Sequence, residues 1–158
     1  MIVKKVVSKC LLSIGKRLFF ILLLNRKESL ILGTIDLIDQ YGIHHISTRE
    51  IAKHQGITEG AIYKHFRTKN ELLIGVLDFF AQYDNDLFLT AERKKSTKEA
   101  ILFLIESFAV YYENYPSIIS VLLSLDVLRY EDELKEKAEY ILTVRYEFIR
   151  KMITRSQK

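Results

Sequence analysis

The stretch "STREIAKHQGITEGAIYKHF", Ser47 to Phe66, decides the fold. Ser47 followed three residues later by Glu50 is a capping box, which predicts the start of a helix. Gly56 predicts its end, because a residue without Cβ can adopt the left-handed conformation that reverses the chain. Thr58 then predicts the N-cap of a second short helix. Two short capped helices joined by a tight turn predict a helix-turn-helix.

The sequence around this unit also predicts helices. A first helix begins near Glu28 and ends at Gly42. Thr68 with Glu71 predicts another capping box, which opens a long helix from residue 69 to about residue 93. Three more helices follow, and no window shows the strict alternation of apolar and polar residues that strands require. The predicted fold class is therefore all-α, with an N-terminal three-helix domain followed by a helical bundle.

Two of the later helices carry expectations about burial. In "TKEAILFLIESFAVYYENYP" the acidic residues Glu99, Glu106 and Glu113 recur every seven positions and nearly all other residues are apolar. This pattern predicts a helix that its neighbours enclose on most sides. The final helix presents an apolar face, and we expect that face to be left partly exposed. Its residues are Leu134, Ala138, Ile141, Phe148 and Met152.

Charge divides the 158-residue chain unevenly. Residues 1–70 hold 12 Lys/Arg against 5 Asp/Glu, whereas residues 71–158 hold 12 against 15, so that the formal net charge is +4. A basic N-terminal half indicates a polyanion-binding module. Much of the excess lies in residues 1–25, so charge alone decides little.

The second helix of the pair has a surface that core packing does not require. Ile62 and Phe66 share one face and must point inward. The outward side begins with small and hydrogen-bonding residues, which lets a helix N-terminus enter the DNA major groove. Tyr63, His65 and Lys69 would lie toward the flanking phosphates. The predicted DNA-binding residues are Thr48, Arg49, Thr58, Glu59, Gly60, Ala61, Tyr63, Lys64, His65 and Lys69.

The stretch from Ile31 to Leu77 resembles the DNA-binding domain of the TetR/AcrR transcriptional regulators. The matching pieces are "YG" after the first helix, "STREIAKHQGIT" across helix and turn, and "AIYKHFRTKNEL" through the recognition helix and the next cap. In that family the recognition-helix tyrosine and the lysine after the "HF" element contact phosphates, which corresponds to Tyr63 and Lys69. The resemblance implies a repressor that binds a near-palindromic double-stranded DNA operator.

The family resemblance also implies a homodimer and a C-terminal helical domain that binds a small effector. We expect an N-terminal extension over residues 1–25, a helix-turn-helix domain over 26–75 and an effector-binding and dimerisation domain over 76–158, truncated by its last helix. The effector is expected to be largely apolar. Candidate residues for its pocket, for which core packing is an equally good explanation, are Phe103, Phe108, Tyr111, Tyr112 and Tyr115.

Other interpretations of the sequence remain open. The apolar run Leu18 to Leu24 follows cations, as in a membrane-associated protein, but it is far shorter than the roughly 18 residues of a membrane span. A truncated family remnant that regulates nothing is a second alternative. The single Cys10 fits a cytoplasmic location. The four histidines lack metal-ligand spacing, and no arrangement of residues indicates an enzyme or a cofactor site.

Overall fold

A computed structural model describes residues 25–156, and this range contains seven α-helices and no strand. The observation confirms the predicted all-α class. The expectations for the N-terminal extension, the run Leu18 to Leu24 and Cys10 concern residues outside the described range. The helices are α1 (Arg26–Tyr41), α2 (Thr48–His54), α3 (Glu59–Tyr63), α4 (Lys69–Glu92), α5 (Thr97–Asn114), α6 (Ile118–Leu128) and α7 (Lys135–Ser156).

The beginnings of the first helices are defined by local hydrogen bonds. Ser47 and Glu50 form the predicted capping box at α2. Helix α1 has a capping box of its own from Asn25, which the sequence analysis missed. At α4 the Thr68 hydroxyl accepts from the backbone N–H of Glu71, but the Glu71 carboxylate accepts from the Arg67 N–H at 2.5 Å instead of the N-cap. The predicted capping box at α4 is therefore only half formed.

A glycine with positive φ produces the turn between α2 and α3. Gly56 has φ +63°, and the Ile57 N–H donates to the Ala52 carbonyl at 3.0 Å. Ala52 is buried where α3 crosses α2. Gly33 on α1 marks another close approach, because a Cβ at this position would lie 1.7 Å from Nε2 of Gln55. These two small-residue positions let α1, α2 and α3 approach one another closely.

The N-terminal helices α1 to α3 enclose an apolar core together with the start of α4. Its central side chains are almost completely shielded from solvent, which supplies most of the free energy that holds short helices in place. We call residues 26–66 the head. The most deeply buried side chains are Leu30, Ile35, Ile38, Ile51, Ile62, Phe66 and Leu72.

Helices α4 to α7 form the C-terminal region. The predicted apolar face of α7 is buried against the other helices, with the ring of Phe148 stacked on Phe88 of α4 at 4.0 Å between centroids. The expectation that this face is partly exposed is therefore wrong. The exposed apolar side chains of α7 lie on a different face, which contains Tyr146, Ile149 and Ile153.

Helix α5 is less enclosed than its sequence predicts. Of its 18 residues, only Ala100 and Tyr111 are buried. Ile101, Leu102 and Ile105 are exposed, the last by 60%. The prediction was wrong because α5 packs against α4 and α7 on one side, and no described residue covers its other side.

A buried ion pair joins α4 to α7. Arg145 donates through Nη2 to Asp84 Oδ1 at 2.9 Å and through Nε to the other carboxylate oxygen. Burial raises the pKa of the Asp84 carboxyl, although the hydrogen bond and the charge of Arg145 oppose this shift. The guanidinium also lies 4.7 Å from the Phe80 ring centroid. A charged pair at this depth makes the relative position of α4 and α7 specific.

The head and the C-terminal region are connected directly. Helix α6 packs on α1, where Ser120 donates its hydroxyl proton to Asp39 at 2.5 Å. Asn70 in the first turn of α4 donates to Glu133 in the α6–α7 loop at 2.6 Å. Helix α4 itself runs without a break through the domain boundary predicted at residues 75 and 76. The division into domains stays a prediction.

Candidate nucleic-acid interface

Helix α3 has the inward and outward faces that its sequence predicts. Ile62 and Phe66 are each 1% exposed and fill the core of the head. The other side of residues 58–65 faces solvent, where Thr58, Gly60, Tyr63, Lys64 and His65 are exposed while Glu59 and Ala61 are half-buried. The structure therefore brings the predicted contact residues of this helix to one outer surface.

Thr58 caps α3 without losing its ability to donate. Its hydroxyl oxygen accepts from the backbone N–H of Ala61 at 3.3 Å. A hydroxyl has one proton to donate and two lone pairs, so the proton of Thr58 remains available to an acceptor outside the protein. This arrangement is compatible with the predicted contact between Thr58 and a base edge.

The glycine in α3 is not required by the fold. Gly60 is helical with an ordinary negative φ, since the positive-φ glycines of the described chain are Gly42 and Gly56. A Cβ at Gly60 would find only the Thr58 hydroxyl oxygen within 4 Å, at 3.9 Å. Glycine inside a helix is less stable than alanine by roughly 0.5–1 kcal/mol. Gly60 therefore lowers the stability of the helix without being required by packing. This combination indicates that another molecule approaches α3 closely at this position.

Thr48 at the start of α2 contacts two residues of α3. Its hydroxyl donates to Oε2 of Glu59 at 3.0 Å and lies 3.3 Å from the hydroxyl oxygen of Tyr63. The structure thus joins three of the predicted DNA-binding residues in one hydrogen-bonded group. Sequence reasoning missed this group, because it depends on how α3 crosses α2.

The cations of this surface have no carboxylate partner among the described residues. Arg49 and Lys64 are exposed, and Lys69 is half-buried in the first turn of α4. None of the three forms an ion pair with any of the residues that the structure describes. Arg67 in the α3–α4 connection shares these properties and was not predicted. We define the recognition surface as the ten predicted DNA-binding residues together with Arg67.

The predicted effector-pocket residues belong to the packing around α5. Tyr111 is buried and stacks on Tyr83 at 3.7 Å between ring centroids. Phe108 and Tyr112 stack at 5.8 Å, and Phe103 lies under Lys94 Nζ at 4.3 Å. The fifth residue of the set, Tyr115, donates its hydroxyl proton to the Leu32 carbonyl at 3.5 Å. The contacts explain these aromatic residues as packing, and their role in a pocket stays a prediction.

A separate groove lies between the C-terminal halves of α4 and α7. Its volume is about 840 Å³, and the stacked rings of Phe88 and Phe148 form part of its lining. Lys151 at its rim pairs with Glu92 at 2.6 Å. Sequence reasoning missed the groove, and none of the five predicted effector residues lines it.

Two further observations concern ligands and membranes. Within residues 25–156, no group of three or more His, Cys, Asp or Glu side chains is arranged to hold a metal ion. Over the same residues, no helix combines the length and the apolar character that a membrane crossing needs.

Comparison with known proteins identifies the class to which this fold and surface belong. The family model described as "Bacterial regulatory proteins, tetR family" matches residues 30–76, from α1 to the early turns of α4. Residues 30–76 therefore form a helix-turn-helix DNA-binding domain of the tetR type, as the resemblance predicted. Regulators of this family are DNA-binding proteins and not enzymes, in agreement with the prediction.

The similar curated proteins include two nucleoid occlusion factors named SlmA. The one from Vibrio atlanticus (strain LGP32) is 26% identical over 111 residues, which is 69% of this chain and 56% of that protein. The one from Aliivibrio fischeri (strain ATCC 700601 / ES114) is 23% identical over 139 residues, which is 85% of this chain and 69% of that protein. The chain spans little more than half of the length of the first relative.

Solved structures of TetR-type regulators share the fold. PfmR from Thermus thermophilus superposes with a TM-score of 0.67 at 22% identity, over 83% of this chain and 70% of that one. The ketosteroid regulator KstR2 of Mycobacterium tuberculosis has a TM-score of 0.72 at 16% identity, over 83% and 67%. FadR from Bacillus subtilis, solved with stearoyl-CoA, has a TM-score of 0.62 at 22% identity, over 79% and 67%. At these identities the likeness concerns the fold alone.

Proposed function

We propose that the protein is a ligand-responsive repressor that binds a near-palindromic operator as a homodimer. The observation that carries this proposal is the recognition surface, where cations without carboxylate partners among the described residues surround an exposed helix tip of small and hydrogen-bonding residues. Phosphates supply the missing anions, and base edges supply the missing hydrogen-bond partners.

The two kinds of contact fall on different residues. Thr58 and Lys64 are exposed on α3 and are proposed to reach base edges, with Gly60 and Ala61 permitting the close approach. Lys69, His65 and the residues at the start of α2 are proposed to hold phosphates on either side of the groove. Base contacts specify the sequence, whereas phosphate contacts fix the register.

Two-fold symmetric operators require two heads at a fixed separation. A helix-turn-helix dimer places its recognition helices on half-sites about 34–36 Å apart, or at a multiple of this spacing. The exposed apolar side chains Tyr146, Ile149 and Ile153 on α7 support self-association, because exposed apolar patches commonly mark interaction sites. The C-terminal region is therefore proposed to bring two copies together.

A small, largely apolar effector is proposed to bind in the C-terminal region and to weaken operator binding. The aromatic set around α5 and the groove between α4 and α7 are the two candidate places. FadR from Bacillus subtilis, which has this fold, was solved with stearoyl-CoA. An effector can change operator binding only through its different affinity for two conformations, typically 1–3 kcal/mol of coupling.

Footprinting on the DNA that flanks the gene tests the core of this proposal. We expect protection of one near-palindromic site, and light scattering of the protein–DNA complex should give two chains per site. Equally tight binding to random duplexes at physiological salt would contradict sequence-specific regulation. In cells, the protein is expected with the nucleoid in the cytoplasmic fraction. Recovery in the membrane fraction would favour the alternative of a membrane-associated protein.

A further inference from the structure

Three side chains at the junction of α2 and α3 form a continuous hydrogen-bonded chain. The Thr48 hydroxyl donates to Oε2 of Glu59 at 3.0 Å, and its oxygen lies 3.3 Å from the hydroxyl oxygen of Tyr63. Thr48 and Glu59 are half-buried, whereas Tyr63 is 48% exposed at the solvent end of the chain. Within the recognition surface, the group therefore extends from the half-buried junction of the two helices to solvent.

The chemistry of the three groups sets the direction of the protons. A carboxylate has only acceptors, so the single hydroxyl proton of Thr48 is directed to Glu59. The Thr48 oxygen can then only accept, and the proton in the contact between Thr48 and Tyr63 must come from the tyrosine. Both hydroxyl protons consequently point along the chain toward Glu59.

This proton order conflicts with phosphate binding. Phosphate oxygens accept hydrogen bonds and cannot donate them, so a hydroxyl can hold a phosphate only if its proton points outward. While the hydrogen bonds among Thr48, Glu59 and Tyr63 are intact, Tyr63 and Thr48 present lone pairs to an approaching phosphate. The negative charge of Glu59 adds repulsion close to the same position.

We propose that Glu59 makes the phosphate contacts of Thr48 and Tyr63 conditional on the base beside α3. A cytosine amino group is the donor that suits a glutamate at a base edge. When such a base draws the carboxylate away from Thr48, both hydroxyl protons are released and turn to the phosphates. This inference rests on the proposed function, and it makes Glu59 a specificity-determining residue that links base recognition to phosphate binding.

The test compares the effect of Tyr63→Phe on two duplexes, the footprinted operator and a random sequence, at one fixed salt concentration. In the wild-type background we expect Tyr63→Phe to weaken operator binding about tenfold, as for loss of a hydrogen bond to a charged group. Random-duplex affinity should change by less than about twofold, because the tyrosine proton is held by Thr48 there. Equal losses on both duplexes would overturn the inference.

Two background variants should make the effect of Tyr63→Phe equal on the operator and on the random duplex. Glu59→Ala removes the acceptor, and Thr48→Val removes the connecting hydroxyl while keeping the side-chain shape. In either background, Tyr63→Phe should weaken binding to operator and random duplex by the same factor. Glu59→Ala alone should also tighten binding to random duplexes and narrow the preference for the operator. If Glu59→Ala weakened binding to all duplexes equally, its role would be structural only.

Glu50→Gln is the matched control. Glu50 is an acidic residue of the adjacent α2 cap, and among residues 25–156 its carboxylate accepts hydrogen bonds only from Ser47. In this background Tyr63→Phe should still weaken binding to the operator more than binding to the random duplex. Loss of that difference would contradict the role assigned to Glu59. A last experiment replaces each cytosine of the half-site in turn. At one position, the base beside Glu59, the replacement should remove the effect of Tyr63→Phe on operator affinity. A wild-type protein with no operator preference would instead contradict the proposed function.

Discussion

The recognition surface and the C-terminal region leave opposite kinds of groups without partners. In the C-terminal region Lys137, Arg145 and Lys151 each pair with a carboxylate of α4, while α5 and α7 each expose several apolar side chains. Beneath the recognition surface the apolar side chains Ile62 and Phe66 are buried, while cations of that surface such as Lys64 and Lys69 have no carboxylate partner among the described residues. A polyanion complements one region and an apolar surface complements the other. The same chain is thus prepared for two different partners.

The largest change in stability should come from breaking the ion pair between Arg145 and Asp84. Arg145→Met leaves Asp84 buried without its cation, so we expect the free energy of unfolding to fall by about 3–5 kcal/mol. Lys64→Met on the recognition surface should change it by no more than about 0.5 kcal/mol. Urea denaturation of both variants measures the contrast.

The double variant Asp84→Leu/Arg145→Met is the control for this loss. With both charges removed, most of the stability should return, because well-packed apolar side chains can replace a buried ion pair. A double variant as unstable as Arg145→Met would show that packing of the arginine stem, and not its charge, matters.

The next prediction concerns DNA binding by Lys69, which has no carboxylate partner among the described residues. Lys69→Ala should weaken binding to every duplex alike and reduce the slope of log K against log salt by about 1, because one phosphate contact is lost. Lys98→Ala, an exposed lysine in the first turn of α5, is the matched control and should leave both quantities unchanged. An unchanged slope for Lys69→Ala would remove Lys69 from the phosphate contacts.

A smaller effect should separate stability from binding at Gly60. Gly60→Ala is expected to stabilise the protein by about 0.5–1 kcal/mol, since alanine favours the helix and the added methyl meets no other atom closely. Operator affinity should fall, because the methyl occupies the space that the DNA needs. Thermal unfolding and a binding titration measure the two changes. A variant that gains stability and keeps full affinity would show that DNA does not approach α3 at this position.

The smallest change in stability is expected at the exposed apolar face of α7. Ile149→Ser should alter the free energy of unfolding by no more than about 0.5 kcal/mol, because Ile149 is already 56% exposed. Self-association should weaken, which light scattering coupled to size exclusion will detect. Leu123→Ser on α6, where the leucine is 72% exposed, is the control. Equal losses of association in both variants would show that the α7 face is not special.

Local features of the head could be predicted from the sequence, whereas contacts between distant residues could not. Capping of α2 by Ser47 and the turn at Gly56 depend on residues within one turn of each other, so spacing alone indicates them. The contact of Thr48 with Glu59 depends on the crossing of two helices, and Arg145 lies 61 positions from Asp84. A charge buried by tertiary packing leaves no periodic signal.

Helix α7 shows a second limit of sequence patterns. Ala138, Ile141 and Phe148 define one apolar stripe, while Tyr146 and Ile149 belong to another. Periodicity detects both stripes but does not decide which one the protein buries against itself. That choice depends on the shape of the neighbouring helices, and for this reason the predicted exposed face was the wrong one.

The packing of α6 on α1 has a consequence for how the protein is made. Tyr115 and Ser120 bond to residues of α1 that lie 83 and 81 positions earlier in the chain. At a synthesis rate of about 5–20 residues per second, the head leaves the ribosome seconds before α6 is complete. During that interval one side of α1 lacks its final cover. The DNA-binding unit, although it comes first in the sequence, reaches its native packing only after the helix that ends at Leu128 has been synthesised.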